Sequence, residues 1–215
     1  MKKAVIFDLD GTLVNSIGDL CAGVNRALEM CGLPTHPVDA YRFMVGDGIM
    51  KLFERALPEE LRTQEMVCRI RDIFVPWYEV HNVDRSRPYE GICELLGELK
   101  RRGVRLAVAS NKYHSATLKI IDYFFGEVGF EVVLGHREGA ARKPDPQIVE
   151  EILDTMGLER EEVLYVGDTN VDMQTACNAG VDCIGVAWGF RPREELAAHN
   201  PLAIIDHPSQ LVEYL

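Results

Sequence analysis

The sequence predicts an α/β protein: a parallel sheet with helices on both faces, interrupted early by an all-helical insert. Three observations lead there. Apolar runs of strand length recur at 4–7, 104–109, 131–134, 163–166 and 182–187, with a weaker one at 202–205, and helical periodicities separate most of them. Alternating strands and helices form βαβ units, which assemble into parallel sheets buried on both faces. Residues 15–83 break this alternation with helical spacings and no convincing strand.

Ala4-Val5-Ile6-Phe7 runs directly into Asp8-Leu9-Asp10-Gly11-Thr12-Leu13. Side chains at i and i+2 of an extended segment share a side, so Asp8 and Asp10 repel each other unless a cation or a shared chemical task holds them. Gly11 lets the backbone turn sharply out of the strand. In the insert, the stripes Ile17, Leu20, Val24, Leu28, then Ile49, Leu52, Phe53, Leu57, then Val67, Ile70, Phe74 mark buried helix faces. Residues 90–102 carry Ile92, Leu95, Leu96 and Leu99 on one helix face, and Gly103 is placed to end that helix.

The run at 104–109 ends in Ser110-Asn111-Lys112. Arg142-Lys143-Pro144-Asp145-Pro146 lies in a loop, with Asp145 as expected N-cap and Pro146 as first residue of a helix running to Gly157. Val163-Leu164-Tyr165-Val166 leads into Gly167-Asp168-Thr169-Asn170-Val171-Asp172. Asp172 is about one helical turn beyond Asp168 if a helix starts at Thr169 or Asn170, and a first-turn acid also suits the helix dipole. Asp8, Ser110 and Asp168 therefore all fall at carboxyl ends of strands, where open α/β sheets bind ligands.

A chain of 215 residues with 47% apolar content accommodates one large domain, or a core domain with a smaller inserted one. A net charge of −11 argues against nucleic acid or an anionic membrane surface as partner, since both demand basic surface. Cys21, Cys31, Cys68, Cys93, Cys177 and Cys183 are dispersed without zinc-ligand spacing and read mostly as small buried hydrophobes of a reduced compartment. Met1-Lys2-Lys3 precedes only four apolar residues, too short for a signal core, and no run approaches membrane-spanning length. The expectation is a cytoplasmic protein, monomer or homodimer.

The ordered set Asp-x-Asp-Gly-Thr, Ser-Asn, Lys-Pro-Asp-Pro and Gly-Asp-Thr-x-x-Asp, spread over nearly the whole chain, resembles the haloacid dehalogenase superfamily of phosphatases and phosphotransferases. The resemblance implies a Rossmann-like catalytic core at 1–14 and 84–215 and a helical cap at 15–83, with hinges near Val14-Asn15-Ser16 and Asn82-Val83-Asp84. It makes Asp8 the nucleophile that forms an aspartyl-phosphate and Asp10 the general acid, then base. Mg²⁺ would be held by Asp8, Asp168 and the backbone carbonyl of Asp10, with Asp172 in outer or water-mediated support. Ser110 and the backbone amide of Asn111 would hold phosphoryl oxygens, Lys143 would balance charge between nucleophile and phosphate, and Thr12 beside Gly11 would order the first loop or touch phosphate.

Val45-Gly46-Asp47-Gly48 and Trp188-Gly189-Phe190-Arg191-Pro192-Arg193 resemble segments of phosphoglycolate-phosphatase-like members. Arg42, Lys51 and Arg55 flank the first and offer cations for a substrate carboxylate. Many relatives have Asp where Asn15 stands, a change that bears on the hinge; Thr12 favours hydrolases over sugar-phosphate mutases. The implied activity is Mg²⁺-dependent hydrolysis of a small phosphorylated metabolite. A β-phosphoglucomutase-like transferase, a nucleotidase, a pyrophosphatase and a non-catalytic phosphate-binding regulator stay open at this point.

Overall fold

Strand β1 (Ala4–Phe7) runs through the middle of the sheet in a computed structural model that describes residues 2–215. It is flanked by β4 (Arg105–Tyr113) and β6 (Val163–Gly167); β5 (Val132–His136) extends the sheet on one side, β7 (Asp182–Val186) and β8 (Ala203–Ile205) on the other. Every pairing in this order, β5-β4-β1-β6-β7-β8, is parallel. Alternation across the pleat sends Val5 and Phe7 into one apolar layer with α5 (Ile92–Arg101) and α6 (His114–Phe125). Ala4 and Ile6 enter the other, with α7 (Gln147–Met156) and α8 (Asn170–Ala179). Ile92, Leu95, Leu96 and Leu99 of α5 are all buried, each contributing roughly 1.5–3 kcal/mol of transfer free energy. On the second face Ala4, Ala107 and Ala109 are small, and the fully buried Tyr165 of β6 packs in the same layer with its hydroxyl at the site.

Four helices fill the insert: α1 (Ile17–Met30), α2 (Val38–Tyr41), α3 (Ile49–Ala56) and α4 (Gln64–His81). Leu20, Val24 and Leu28 of α1 meet Leu52 and Phe53 of α3 and Val67, Ile70 and Phe74 of α4 in a third apolar cluster, as their periodicity predicts. Ala116 and Phe190 join this cluster from the sheet-bearing part of the chain. Among the described residues no helix is long and apolar enough to cross a membrane.

The structure departs from the sequence-based expectation at four places. A two-stranded antiparallel ladder, β2 (Val14–Asn15) with β3 (Arg87–Pro88), joins the two chain crossings between insert and sheet. Two residues per strand are too few for a periodic signal. Asp19, almost wholly buried, also ties the two crossings together by accepting hydrogen bonds from the Arg85 and Ser86 amides and the Ser86 hydroxyl at 2.6–3.1 Å. β4 does not stop at Ala109; it continues through Tyr113 while its register with β5 shifts, and Ser110, Asn111 and Lys112 are all buried. α7 has Pro146 at its N-cap, one residue later than expected, although Asp145 Oδ1 still accepts the Gln147 amide at 2.9 Å. Only Cys21 and Cys183 are buried: Cys93 and Cys177 lie on exposed faces of α5 and α8, so most of the cysteines are not core residues.

Candidate active site

Asp8 leaves β1 and Asp168 leaves the adjacent β6, so parallel pairing brings both carboxylates to one end of the sheet. Asp172, at the third position of α8, turns back toward them, and one oxygen from each of the three lies within 4.8 Å of the others. All three are buried. Lys143 Nζ is set among them, bonding Asp8 Oδ1 at 2.8 Å, Asp172 Oδ1 at 2.7 Å, the Ala109 carbonyl at 2.9 Å and the Tyr165 hydroxyl at 3.0 Å.

Three buried carboxylates facing one ammonium leave two negative charges without a partner. The titration behaviour reflects that excess. Burial pushes the Asp8 carboxyl up to about 7; Lys143 pulls it down, while Asp172 and Asp10 add to the rise. Burial, then Asp172 and Asp8, hold Asp168 well above the usual carboxylate range. For Lys143 burial acts downward, but Asp172 and Asp8 outweigh it and keep the ammonium charged far above neutrality. A divalent cation fits this site on two counts: its charge matches the excess, and an all-oxygen donor set suits Mg²⁺.

Asp168 is positioned by Thr12, whose hydroxyl donates to Oδ1 at 2.9 Å, and by the Phe190 amide, which donates to Oδ2 at 2.8 Å. Gly11 has φ +96°, and a Cβ there would lie 2.3 Å from Asp168 Oδ2; one on Gly189 would lie 2.2 Å from Asp168 Cβ. Gly11 and Thr12 thus both serve the placement of Asp168. Asp172 divides its two oxygens: Oδ2 accepts from the Thr169 amide and hydroxyl in a capping box, and Oδ1 faces Lys143 and the Tyr165 hydroxyl. Helix capping and charge balance are both roles of this residue, one for each oxygen.

Asp10 stands apart from the trio. Its Oδ1 accepts from the Ser16 hydroxyl at 2.5 Å, and Lys112 Nζ bonds Oδ1 and Oδ2 at 3.1 and 3.0 Å. Lys112 also donates to the Tyr78 hydroxyl of α4 at 2.8 Å. Neither Lys112 nor Tyr78 stands out in the sequence. A single lysine reads as surface, and its one available signal is its adjacency to Ser110-Asn111; Tyr78 continues the α4 stripe one turn past Phe74. Ser110 Oγ accepts the Lys112 amide at 3.2 Å, which leaves the hydroxyl hydrogen for a ligand. The Asn111 side chain, unforeseen, bonds the Lys143 amide and carbonyl and reaches Gly46 of the insert at 3.0 Å.

A cavity lies between insert and sheet, with Asp8, Asp10, Ser110, Lys112 and Lys143 on its floor and Leu20, Val45, Ile49, Leu52, Phe74 and Tyr78 on its roof. Arg42, Lys51 and Arg55 are not among its lining. Arg42 bonds the Gly189 carbonyl, Lys51 pairs with Glu54, and Arg55 holds Asp47 and the Met44 carbonyl. Arg191 donates to the carbonyls of Arg42, Phe43 and Val45 and pairs with Glu195, tying the insert to the segment after β7. Trp188 donates to the Thr12 carbonyl at 3.0 Å and so packs behind the first loop.

The raised carboxyls imply a pH effect of definite sign. Asp8 titrates at about 7 when folded against 3.8 as reference, and Asp168 is raised too, so the folded state binds more protons across this range. Stability of the metal-free protein should therefore fall as pH rises from about 4 to about 7. Urea midpoints in chelator at pH 5 and pH 7.5 measure this. Asp168→Asn should show a shallower fall than wild type, and equal slopes would disprove the link to this cluster.

Known proteins resemble this chain along nearly its whole length. The sequence profile of the haloacid dehalogenase-like hydrolases matches residues 5–186. The phosphoglycolate phosphatase of Psychrobacter arcticus is 30% identical over 220 residues, covering 100% of this chain and 96% of that protein. That of Aquifex aeolicus is 30% identical over 99% of this chain and 96% of its own length. A crystal structure from Lactobacillus delbrueckii, assigned as a phosphoglycolate phosphatase, superposes with a TM-score of 0.94 at 33% identity, covering 100% of this chain and 98% of its own.

Proposed function

This chain belongs to the haloacid dehalogenase-like hydrolase family and is a phosphatase, and on that premise we propose that it hydrolyses phosphoglycolate, with Mg²⁺, through an aspartyl-phosphate on Asp8. The observation that carries the reading is the buried Asp8–Asp168–Asp172 trio around Lys143, with Asp10 held next to it but on separate partners.

Lys143 pins Asp8 Oδ1, and among the described residues no donor occupies Oδ2, which is the oxygen that attacks phosphorus. As the Oδ2–P bond forms, the bond from phosphorus to the glycolate oxygen breaks, and Asp10 supplies a proton to that leaving oxygen. Water then attacks the phosphorus of the aspartyl-phosphate, Asp10 takes the proton, and release of phosphate regenerates Asp8. Ser110 Oγ donates to a phosphoryl oxygen in both steps, and the Lys143 ammonium, held on Asp8, balances charge between nucleophile and phosphate. Mg²⁺, held by Asp8, Asp168 and the Asp10 carbonyl with Asp172 behind them, would offset repulsion between the carboxylate and the phosphoryl group. Residues 15–83 act as a cap hinged where β2 and β3 meet, and their apolar roof excludes bulk water from the reacting centre.

Phosphate release tests the proposal, measured with Mg²⁺ and with chelator, from phosphoglycolate, sugar phosphates, nucleotides and pyrophosphate. Release should depend on Mg²⁺ and be fastest from phosphoglycolate. A higher kcat/KM for any other member would replace the substrate, and full activity in chelator would remove the metal.

A further inference from the structure

Resting on the phosphoglycolate reading, we propose that Lys112 is the group that recognises the substrate's carboxylate, and that it does so by moving off Asp10. Burying a carboxylate under an apolar roof requires a cation or several donors on it. Among the described residues only two cationic side chains line the cavity, Lys112 and Lys143. Lys143 is committed to two carboxylates, a carbonyl and a hydroxyl at the nucleophile end. Arg42, Arg55 and Arg191 are bound to backbone and acidic partners elsewhere, and the insert contributes mainly Leu20, Val45, Ile49, Leu52 and Phe74.

Covalent structure places the carboxylate where Lys112 stands. In phosphoglycolate the carboxylate is one methylene from the bridging oxygen, and Asp10 is the residue that protonates that oxygen. An ammonium bonded to Asp10 at 3.0 Å is therefore within a short swing of the carboxylate. The Tyr78 hydroxyl, which accepts from Lys112, keeps its own hydrogen to donate to the same group. Tyr78 lies on α4, so carboxylate recognition spans the sheet and the cap. Once Lys112 has moved, Asp10 retains Ser16 on Oδ1 and has its remaining capacity free for the leaving oxygen. No covalent bond changes in this exchange; a phosphate ester without a carboxylate leaves Lys112 on Asp10, and Asp10 engaged.

The test compares kcat/KM for phosphoglycolate and for 2-hydroxyethyl phosphate, which is uncharged at the recognised end. It uses the full chain as wild type, Lys112→Met, Lys112→Arg and Tyr78→Phe, each checked by circular dichroism and melting. Lys112→Met should lose about 10- to 100-fold more on phosphoglycolate than on the uncharged ester, with that difference appearing in KM. Lys112→Arg should recover part of the preference, and Tyr78→Phe should lose a smaller part of it. Equal losses on both esters in Lys112→Met overturn the proposal, because a structural or Asp10-holding role slows both alike. If Lys112→Met does not fold, Lys112→Gln takes its place, and equal losses on both esters in that variant overturn the proposal as well. A wild-type enzyme that prefers neither ester instead removes the substrate reading, and this inference with it.

Discussion

Asp8→Asn is expected to reduce phosphate release by at least about 10⁴-fold in kcat, and to raise the stability of the metal-free protein at the same time. The two changes have one cause. A carboxamide has nearly the same shape and can still accept the Lys143 bond at Oδ1, so the surroundings need not rearrange. It lacks the charge and nucleophilicity needed to attack phosphorus, so no aspartyl-phosphate forms. It also removes one of three buried negative charges, and the carboxyl it replaces is raised by burial to about 7. Relief of that repulsion amounts to a few kcal/mol at pH 8, since each tenfold change in proton affinity corresponds to about 1.4 kcal/mol. Single-turnover phosphate release and urea unfolding in chelator read the two effects separately. Lost activity with lost stability would indicate a structural Asp8, and retained activity would remove the nucleophile role.

The parts of this molecule legible in the sequence are those that repeat or that violate a local rule. Helix stripes such as Ile92, Leu95, Leu96 and Leu99 repeat with the helical period, and all four are buried. Asp8 and Asp168 violate the rule that strand ends inside an apolar sheet avoid bare carboxylates, which is why chemistry is expected there. The contacts that escape notice do neither. Asp19 satisfies a buried carboxylate on backbone amides sixty-six and sixty-seven positions away. Asn111 and Arg191 do their work through carbonyls distant in sequence. Arg42 and Arg55 show the converse: their sequence position beside the glycine-containing loop suggests substrate, and tertiary packing directs them to the Gly189 carbonyl and to Asp47. Charge alone says nothing about direction; only the fold assigns the partner.

Lys143→Met is the second variant with a large expected effect, and here activity and stability should fall together. Nζ leaves behind Asp8, Asp172, the Ala109 carbonyl and the Tyr165 hydroxyl, each of which it bonds at 2.7–3.0 Å. Removing one partner of a buried ion pair costs about 3–5 kcal/mol, because the remaining charges have neither water nor a counter-ion. Arginine should not substitute, since a planar fork cannot reproduce the convergence of four acceptor groups on one nitrogen. The sign of the pH dependence follows from the shifts. Lys143 is held above its usual range, so its stabilising contribution is complete at neutral pH and fades only as pH climbs past about 10.5. The deficit of Lys143→Met should be larger at pH 7.5 than at pH 5, where Asp8 is protonated with or without the ammonium beside it. Adding Asp8→Asn to Lys143→Met removes a carboxylate the lysine neutralised, so the double variant should be more stable than Lys143→Met alone. Urea unfolding in chelator at the two pH values decides this. A deficit that neither pH nor the second substitution alters would mean that Lys143 stabilises the fold by packing, and that the carboxylate trio is balanced by something other than its charge.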